Sequence, residues 1–556
     1  MKTLQTTDYF VFLFYFMIVA LYGYWVYQRK KSLTADSKDY FLAEGSLTWW
    51  AIGASLIASN ISAEQFIGMS GSGFKMGLAI AAYEWMAAVT LIIVGVFFIP
   101  VYLKNKIYTM PQFLNQRYNS TVSIVMAVFW LLLYVVVNLT SILYLGALAV
   151  SSISGINFTV CIYALAIFAI IITLGGMKVI GFTDVIQVFF LILGGLATTY
   201  IALNLVADHF GVTGALQGLG LMYDKAPDHF EMIFSKDNEN YLDLPGLSVL
   251  IGGLWIVNLN YWGCNQYITQ RALGADLKTA RGGLLFAAGL KLLMPVIVVL
   301  PGIAAYILYK EGYFQQEMLQ DGSVNPDHAY PVLLNLLPTG LKGLSFAALT
   351  AAVVASLAGK ANSIATIFSL DIYKKILNTD ASEKTLVSVG KITIIVSMLL
   401  AIIISPHMGI DKKGGFQYIQ EYTGFVSPGI FAMFILGFFW KKATSSAAMF
   451  ATVGGFLLSV VFKVLPDYVD LSFLYPFGFA IPNANGIYEI PFIDRMGFVF
   501  VICFLAMIII SRIENNRGTV PKGLEVDAKM FKVHPGFAFG SILVIGVVAA
   551  LYLLFW

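Results

Sequence analysis

Charged residues and cysteines are scarce in this sequence. Asp, Glu, Lys and Arg make up 12% of its 556 residues, and 59% are hydrophobic. Soluble proteins carry about twice that share of charge. The net charge of +3 predicts no basic surface for nucleic acid. The cysteines, Cys161, Cys264 and Cys503, lie in apolar segments without metal-ligand spacing. We therefore expect neither a soluble enzyme nor a nucleic-acid-binding protein, and neither disulfides nor a zinc site.

Motifs of known enzyme classes are missing as well. The Gly-Lys pairs at Lys360 and Lys391 are not followed by the Ser or Thr of a phosphate-binding loop. The sequence has no HExxH motif, and none of its five histidines lies in the middle of a long apolar segment. ATP-driven transport and hydrolysis within the membrane are thus disfavoured. We expect a protein that is not an enzyme and that uses no organic cofactor.

Long apolar runs dominate instead. No charged residue occurs from Tyr118 to Met177, which is room for two membrane helices of about 20 residues each. Such runs predict an all-α integral membrane protein of about fourteen transmembrane helices in one domain, 1–556. The predicted spans are 8–27, 46–74, 79–101, 120–150, 157–176, 184–206, 247–270, 282–309, 341–372, 386–405, 415–440, 443–464, 493–511 and 534–555.

The basic residues predict the orientation. Arg29, Lys30 and Lys31 follow the first apolar run, the reverse of a secretory signal, so we expect an uncleaved first helix. Most of the 34 Lys and Arg residues lie in segments that follow odd-numbered spans. Because basic loops stay on the cytoplasmic side, both termini should lie on the outer side of the membrane. We expect that membrane to be a plasma membrane, such as a bacterial inner membrane. The lipid bilayer is an expected partner, and the sequence leaves the oligomeric state open.

The second predicted span is unusually polar. Small and polar residues run from Gly53 through Asn60 to Gln65, and small residues return from Gly68 to Gly73. This composition predicts a helix interrupted in its middle, because freed carbonyls are tolerated in a membrane only beside a cavity or an ion. Close packing against another helix is the alternative explanation for the glycines.

Two opposite charges fall inside other predicted spans. Glu84 lies in the third span and Lys291 in the eighth. A charge within the bilayer is costly, so each residue is a functional candidate. If the two face one cavity they neutralise each other, and the site would suit a neutral polyhydroxylated solute better than an acid or an amine. A purely structural ion pair is the alternative.

The seventh predicted span places aromatic rings beside amides. Asn258 and Asn260 stand next to Tyr261 and Trp262, and the eleventh span adds Gln420. A sugar can pack its C–H faces on rings while its hydroxyls bond to amides. An aromatic belt at the membrane surface is the alternative, although Tyr261 is predicted too deep for one.

The most specific motifs are Asn60-Ile61-Ser62-Ala63-Glu64-Gln65-Phe66-Ile67-Gly68, Tyr83-Glu84-Trp85, Thr183-Asp184-Val185-Ile186-Gln187-Val188-Phe189-Phe190, Tyr261-Trp262 with Asn265-Gln266 and Gln270-Arg271, and Tyr418-Ile419-Gln420. They resemble the sodium:solute symporter family, within it the sodium/glucose cotransporter branch, and most of all the bacterial sodium/galactose symporters. The likeness runs in order over nearly the whole chain.

The resemblance implies a leucine-transporter-type fold with a 5+5 inverted repeat. The first half would cover 46–206 and the second 247–440, with an extra first helix at 8–27 and extra C-terminal helices in 443–556. An unwound second span and an unwound seventh span would then be symmetry mates.

The resemblance also implies site residues. A neutral sugar would contact Asn60, Gln65, Glu84, Asn258, Lys291 and Gln420. The gate residues would be Tyr261 on the inner side, Met69, Tyr83 and Phe416 on the outer side, and Trp262. A co-transported sodium ion would lie among the carbonyls of Ala58, Ile61 and Ala352 and the ninth span at Ala355 and Ser356, the two positions where the family usually offers hydroxyls.

Some positions depart from the family pattern. Where two consecutive serines are usual, this chain has Ala355-Ser356, and Lys360 stands four residues later in place of an apolar residue. Asp184, placed by the resemblance near the inner exit of the ion, is the expected partner of Lys360. Ala87 and Asn260 replace a serine and a tyrosine of the sugar transporters.

The leading hypothesis is a secondary active symporter that imports a neutral hexose, such as galactose or glucose, with sodium by alternating access. One alternative is a symporter of the same family for another solute, such as an inositol, a nucleoside or a sialic acid. A sugar sensor or channel is a second. Proton coupling or uniport, with Lys360 as the proton carrier, is a third.

Overall fold

The computed structural model describes residues 4–29, 47–175, 177–320, 322–407, 415–483 and 485–556. Lys30 and Lys31, used above to predict the first helix, and residue 46, where the second span was expected to begin, lie outside these ranges. The α-helices are α1 Thr6–Arg29, α2 Trp49–Asn60, α3 Ser70–Met76, α4 Ala82–Ile93, α5 Ile99–Lys104, α6 Met110–Arg117, α7 Ser120–Leu132, α8 Thr140–Ser154, α9 Phe158–Thr173, α10 Met177–His209, α11 Ala215–Lys225, α12 Leu247–Ile251, α13 Gly253–Gly263, α14 Gln266–Leu273, α15 Leu277–Lys310, α16 Ala329–Leu334, α17 Leu341–Ile367, α18 Glu383–Ile404, α19 Gly415–Gly424, α20 Ser427–Phe439, α21 Ser445–Met449, α22 Gly455–Val464, α23 Phe492–Asn516 and α24 Pro535–Leu554.

Shorter elements connect these helices. Segments of π-helix cover Glu64–Met69, Val94–Phe98, Leu133–Leu139, Phe368–Leu377 and Phe450–Gly454, and 3-10 turns cover Gly77–Ala81, Pro227–Phe230, Pro326–His328, Ser405–His407, Leu465–Asp467, Ser472–Phe477 and Ala528–Phe531. Two small antiparallel hairpins pair β1 Leu319–Gln320 with β2 Ser323–Val324 and β3 Ile481–Pro482 with β4 Tyr488–Glu489. The chain is therefore mostly helical, as predicted, with minor strands in its connecting segments.

The number of spans differs from the sequence-based expectation. Within the described ranges, 10 helical segments are long and apolar enough to cross a membrane, or up to 12 if each of two bent pairs forms one span. One reason is that α9, with 16 residues, is shorter than the usual span of about 20. The other is that the second and third predicted spans share one helical stretch, Glu64–Lys104, which turns at Gly77 with φ 70°. The count of fourteen is not confirmed.

The second span is interrupted, as predicted. Helix α2 ends at Asn60, Ile61 is extended with φ −77° and ψ 99°, and the π-helix Glu64–Met69 resumes the helical path. We call Ile61–Ser62 the break, and α2 and the segment from Glu64 onward its two halves. The seventh span is interrupted too, since α13 and α14 meet at 49°.

The eleventh span was expected to run as one helix, and it does not. Helices α19 and α20 meet at 52°. Gly424 ends α19, and Pro428 lies in the first turn of α20, where proline is tolerated because the N–H it lacks has no partner there. Gly424 and Pro428 were the sequence features from which this bend could have been predicted.

The Cα positions divide into two compact units. The first unit comprises Met1–Ala81, Leu131–Glu231 and Gly289–Ile419, and the second comprises Ala82–Trp130, Met232–Ala288 and Gln420–Trp556. Each unit takes segments from both predicted repeats, 46–206 and 247–440. The inverted repeat itself stays a prediction.

Helix α17 is the centre of the first unit. It packs against α1, α2, α8, α9, α10 and α18. Every residue from Ser345 to Ile367 is buried. Alanine, glycine and serine are frequent along it, and small side chains let neighbouring helices approach closely.

The extra first helix caps this central helix. The Asp8 carboxylate accepts hydrogen bonds from the backbone N–H groups of Gly340 and Gly343 through Oδ1, at 2.7 and 3.1 Å. These donors have no partner within the first turn of α17, and a carboxylate also complements the positive end of the helix dipole. Gly343 permits the approach, because a Cβ there would lie 2.5 Å from the Asp8 carbonyl oxygen.

In the second unit, α13 packs against α4, α20 and α23. Arg117, at the end of α6, donates hydrogen bonds to the carbonyl oxygens of Gly437, Trp440 and Ala443 at 2.8, 2.9 and 3.0 Å. These carbonyls lie at and beyond the C-terminal end of α20, where cations are favourable. Burial lowers the pKa of the Arg117 guanidinium, but the pKa of arginine is so high that it stays charged.

Loss of the Asp8 cap should destabilise the protein. We expect Asp8→Ala to lower the free energy of unfolding by about 0.5–2 kcal/mol, the usual cost of an N-terminal cap, and Asp8→Asn to lose less because it keeps an acceptor oxygen. Thermal unfolding of the purified protein in detergent measures this. The control is Asp224→Ala at an exposed position of α11. Equal unfolding temperatures for Asp8→Ala and the control would contradict the capping role.

Candidate functional site

The break is satisfied by nearby side chains. The Ser62 N–H donates to Gln65 Oε1 at 3.2 Å, and the Glu64 N–H donates to Ser62 Oγ at 3.1 Å. Ile61 still donates its N–H to the Ile57 carbonyl at 2.7 Å. Polar residues around the break therefore replace the backbone partners that a continuous helix would supply.

Helix α17 presents a hydroxyl to the half before the break. Ser356 Oγ lies 3.3 Å from the carbonyl oxygens of both Ala58 and Ser59. Two predicted sodium ligands, Ala58 and Ser356, are thus in contact. The other predicted ligand positions, Ile61, Ala352 and Ala355, are buried in the same unit. Hydroxyl and carbonyl oxygens of this kind are suitable ligands for a hard cation.

Two buried serines of α2, Ser59 and Ser55, lie between this contact and Asp184. Ser59 Oγ donates to the Ser55 carbonyl at 2.6 Å, and Ser55 Oγ donates to Asp184 Oδ2 at 2.6 Å. Asp184 lies on α10 and is 1% exposed. The residue predicted for the ion path is therefore linked to the α2 half by hydrogen bonds.

Two predicted sugar-binding residues meet at the break. Lys291 Nζ, on α15, donates a hydrogen bond to Oδ1 of Asn60, the last residue of α2. Lys291 is 1% exposed, so its ammonium is almost entirely removed from water. Gln65, a third predicted contact, lies on the other half of the break and is also buried. The first unit thus gathers three of the six predicted sugar contacts around one break.

The other three predicted contacts belong to the second unit. Glu84 is buried on α4. Asn258 donates to the Leu254 carbonyl of its own helix at 3.1 Å. Gln420, on α19, is partly exposed. Pairing of Glu84 with Lys291 stays a prediction.

The predicted gate residues differ in burial. Met69 and Phe416 are buried in the first unit, where Gly68 lies against Phe416 so closely that a Cβ would come within 2.7 Å of its backbone nitrogen. In the second unit Tyr83 is buried, whereas Tyr261 is partly exposed.

The two gate rings of the seventh span touch each other. The Tyr261 and Trp262 ring centroids are 5.2 Å apart in an edge-to-face arrangement of 83°. Asn260, which departs from the family pattern, donates to Ser427 Oγ on α20 at 3.1 Å. Ala87, the other departure, is buried on α4.

Sequence reasoning did not assign a role to Glu64, Asn138 or Ser141. Lys360 Nζ donates to Asn138 Oδ1 at 3.0 Å, and Ser141 Oγ donates to Glu64 Oε1 at 3.4 Å. Lys360 and Glu64 therefore bond to two residues, Asn138 and Ser141, that are three positions apart in the chain. The signal for Glu64 was a charge inside a predicted span, but nothing in the sequence marked Asn138. The predicted pairing of Lys360 with Asp184 stays a prediction.

Helices broken within apolar segments, with carbonyl and hydroxyl oxygens gathered at a break, define a membrane transporter. The chain belongs to the sodium:solute symporter family, whose model matches residues 40–455. It is a sodium-coupled solute symporter.

Known relatives cover most or all of the chain. A sodium/glucose cotransporter of Vibrio parahaemolyticus is 45% identical over 100% of this chain and 99% of its own. The human sodium/myo-inositol cotransporter 2 is 34% identical over 84% of this chain and 71% of its own. The solved structure of a Na+-coupled sialic acid symporter matches with a TM-score of 0.75 at 22% identity, over 94% of this chain and 100% of that one. That likeness shows a shared fold.

Lys291 and Gln65 should both be required for transport. Truncating either residue leaves a buried polar partner unsatisfied, at about 1–3 kcal/mol, so Lys291→Ala and Gln65→Ala should each reduce sugar uptake about tenfold or more. Uptake into proteoliposomes measures this, with the exposed residues changed in Lys278→Ala and Gln217→Ala as matched controls. Normal uptake by both folded variants would place the site elsewhere.

Proposed function

We propose that the protein imports a neutral hexose, such as galactose or glucose, together with sodium by alternating access, and that it is not an enzyme. The observation that carries the sugar assignment is the contact of Lys291 with Asn60 at the break. An ammonium and an amide held together, with the Gln65 amide across the break, offer several hydrogen-bonding groups to hydroxyls. The similarity to a sodium/glucose cotransporter over the full chain supports the same solute class.

We further propose that the membrane arrangement follows the sequence-based expectation. It comprises about fourteen helices, the inverted repeat, and both termini outside a plasma membrane. The two interrupted spans, second and seventh, support the repeat because they occupy corresponding places in its two halves.

The proposed sodium ligands are the carbonyls of Ala58, Ile61 and Ala352 and the Ser356 hydroxyl. The contact of Ser356 with the Ala58 carbonyl supports this set. Ala355 supplies no oxygen, so we expect four protein ligands where the family pattern offers five. Hard cations tolerate irregular oxygen coordination, and the site should be weakened rather than lost. Asp184, linked through Ser55 to the same half-helix, is proposed to line the path of the ion.

A myo-inositol substrate is the second candidate. The relatives include sodium/myo-inositol cotransporters over 84% of this chain, and inositol offers the same neutral ring of hydroxyls.

The test is a substrate panel in proteoliposomes under separate sodium, potassium and proton gradients. Accumulation of a hexose that follows the sodium gradient supports the proposal. Preference for inositol, a nucleoside or a sialic acid would change the solute. Accumulation that follows only the pH gradient would replace sodium by protons, binding without accumulation would indicate a sensor, and downhill movement alone would indicate a channel or uniporter.

The proposed sodium site predicts opposite effects at neighbouring positions. Ala355→Ser should lower the half-saturating sodium concentration several-fold, because one more oxygen contributes on the order of 1 kcal/mol, and Ser356→Ala should raise it. The sodium dependence of initial uptake rates measures both. The control is Ser363→Ala, whose hydroxyl bonds to the Gly359 carbonyl of its own helix. Unchanged sodium dependence in both test variants would reject the ligand set.

Tyr261 should act through its ring. Tyr261→Ala removes the stacking surface and should abolish accumulation, whereas Tyr261→Phe keeps most of that surface and should retain binding, since ring packing contributes about 0.5–1.5 kcal/mol beyond area burial. Equilibrium sugar binding and uptake are measured together. Wild-type behaviour of both variants would reject the gating role.

A further inference from the structure

Two polar residues of the central helix, one turn apart, lie near the two halves of the broken helix. Ser356 touches the carbonyls of Ala58 and Ser59 in the half before the break. Lys360, four residues later on α17, donates to Asn138, and Glu64, the first residue of the π-helix after the break, accepts from Ser141, three residues along from Asn138. Residues i and i+4 lie on one face of a helix. Ser356 and Lys360 therefore lie on the same face of α17.

The Lys360 ammonium lies in a buried polar pocket. Lys360 is 4% exposed and Asn138 is 6% exposed, and Nζ donates to Asn138 Oδ1 at 3.0 Å. Nζ also lies 5.5 Å from the centroid of the Tyr134 ring, whose negative face attracts a cation. A buried charge persists only when it is paired and hydrogen-bonded. The Asn138 amide and the Tyr134 ring each help to hold this ammonium.

The Glu64 carboxylate is bound by the same helical stretch. Ser141 Oγ donates to Glu64 Oε1 at 3.4 Å, and Ser141 is fully buried on α8. Asn138 and Ser141 are three residues apart at the junction of the π-helix Leu133–Leu139 with α8, so one helix face supports both charges. The carboxylate and the ammonium together are neutral, which is favourable because the Lys360 charge is buried.

We propose that Glu64 and Lys360 form a positioning ion pair for the sodium site. The pair holds the second half of the broken helix against α17, as Ser356 holds the first half. The width of the break, and with it the placement of the Ala58 and Ile61 carbonyls relative to Ser356, depends on both contacts. This inference rests on the proposed sodium site, and it gives Lys360 a structural partner on the broken helix itself.

The test measures half-saturating sodium in uptake assays and sugar binding at saturating sodium. Glu64→Gln and Lys360→Met should each raise the half-saturating sodium concentration about tenfold, because each leaves the other charge without its ionic partner. In the double variant neither charge is left without its partner. The half-saturating sodium concentration should therefore return to within about threefold of the wild-type value, since the effects of coupled residues are not additive. Sugar binding at saturating sodium should be retained. The conservative change Glu64→Asp should lie between wild type and Glu64→Gln.

A matched control uses an exposed ion pair of the same unit. Lys374 and Glu383 lie 3.7 Å apart with side chains 41% and 46% exposed. Such an exposed pair contributes little to stability, so Lys374→Met and Glu383→Gln should leave half-saturating sodium unchanged. A comparable shift in the control pair would show a general charge effect and overturn the proposal.

Three further outcomes would also overturn it. If Glu64→Gln folds and keeps the wild-type sodium dependence, Glu64 has no positioning role. If Lys360→Met lowers the half-saturating sodium concentration, the ammonium competes with the ion. If Lys360→Met rescues Asp184→Asn but not Glu64→Gln, Asp184 is the functional partner. Wild-type transport that ignores sodium would instead refute the proposed function, so the two failures are distinguishable.

Discussion

A helix that stops inside an apolar segment leaves backbone donors and acceptors that water cannot reach, and each must find a partner. The break at Ile61–Ser62 meets this constraint with the side chains of Ser62, Gln65 and Ser356. The same constraint favours small residues along α17, because its Ser356 hydroxyl reaches the Ala58 carbonyl only if α17 and α2 approach closely. Small residues along α17 permit that approach.

The second unit meets the same constraint with different residues. At the bend of the seventh span, Tyr102 donates its hydroxyl to the Gly263 carbonyl at 2.7 Å, and Gln266 Oε1 accepts the Met110 N–H at 2.7 Å. Asn265 caps the following helix by accepting the Tyr267 N–H at 3.1 Å. The bend in the seventh span is thus stabilised by hydrogen-bonding side chains from neighbouring segments.

Buried charges follow a related rule. Asp8 and Arg117 lie at helix ends, where the helix dipole and orphan backbone groups compensate them. Lys291 and Lys360 lie far from any helix end of α15 and α17, and both have an amide oxygen as a partner, from Asn60 and Asn138. An amide holds an ammonium without neutralising it.

Local composition was enough to predict a membrane protein and the interrupted second span, whereas the transporter class and most of the candidate site residues followed from the resemblance of sequence motifs to a known family. Apolar runs reflect the bilayer solvent directly, and the polar run from Asn60 to Gln65 stands out against them. The bend of the eleventh span and the number of spans were not determined, because helix continuity depends on packing as well as hydropathy. Only the tertiary structure decided the partners: Asp8 with Gly340, 332 residues apart, Lys291 with Asn60, 231 apart, and Lys360 with Asn138, 222 apart. The sequence contains several chemically equivalent groups that could pair with each of these side chains. Only the packing of the helices determines which of those groups lies within hydrogen-bonding distance.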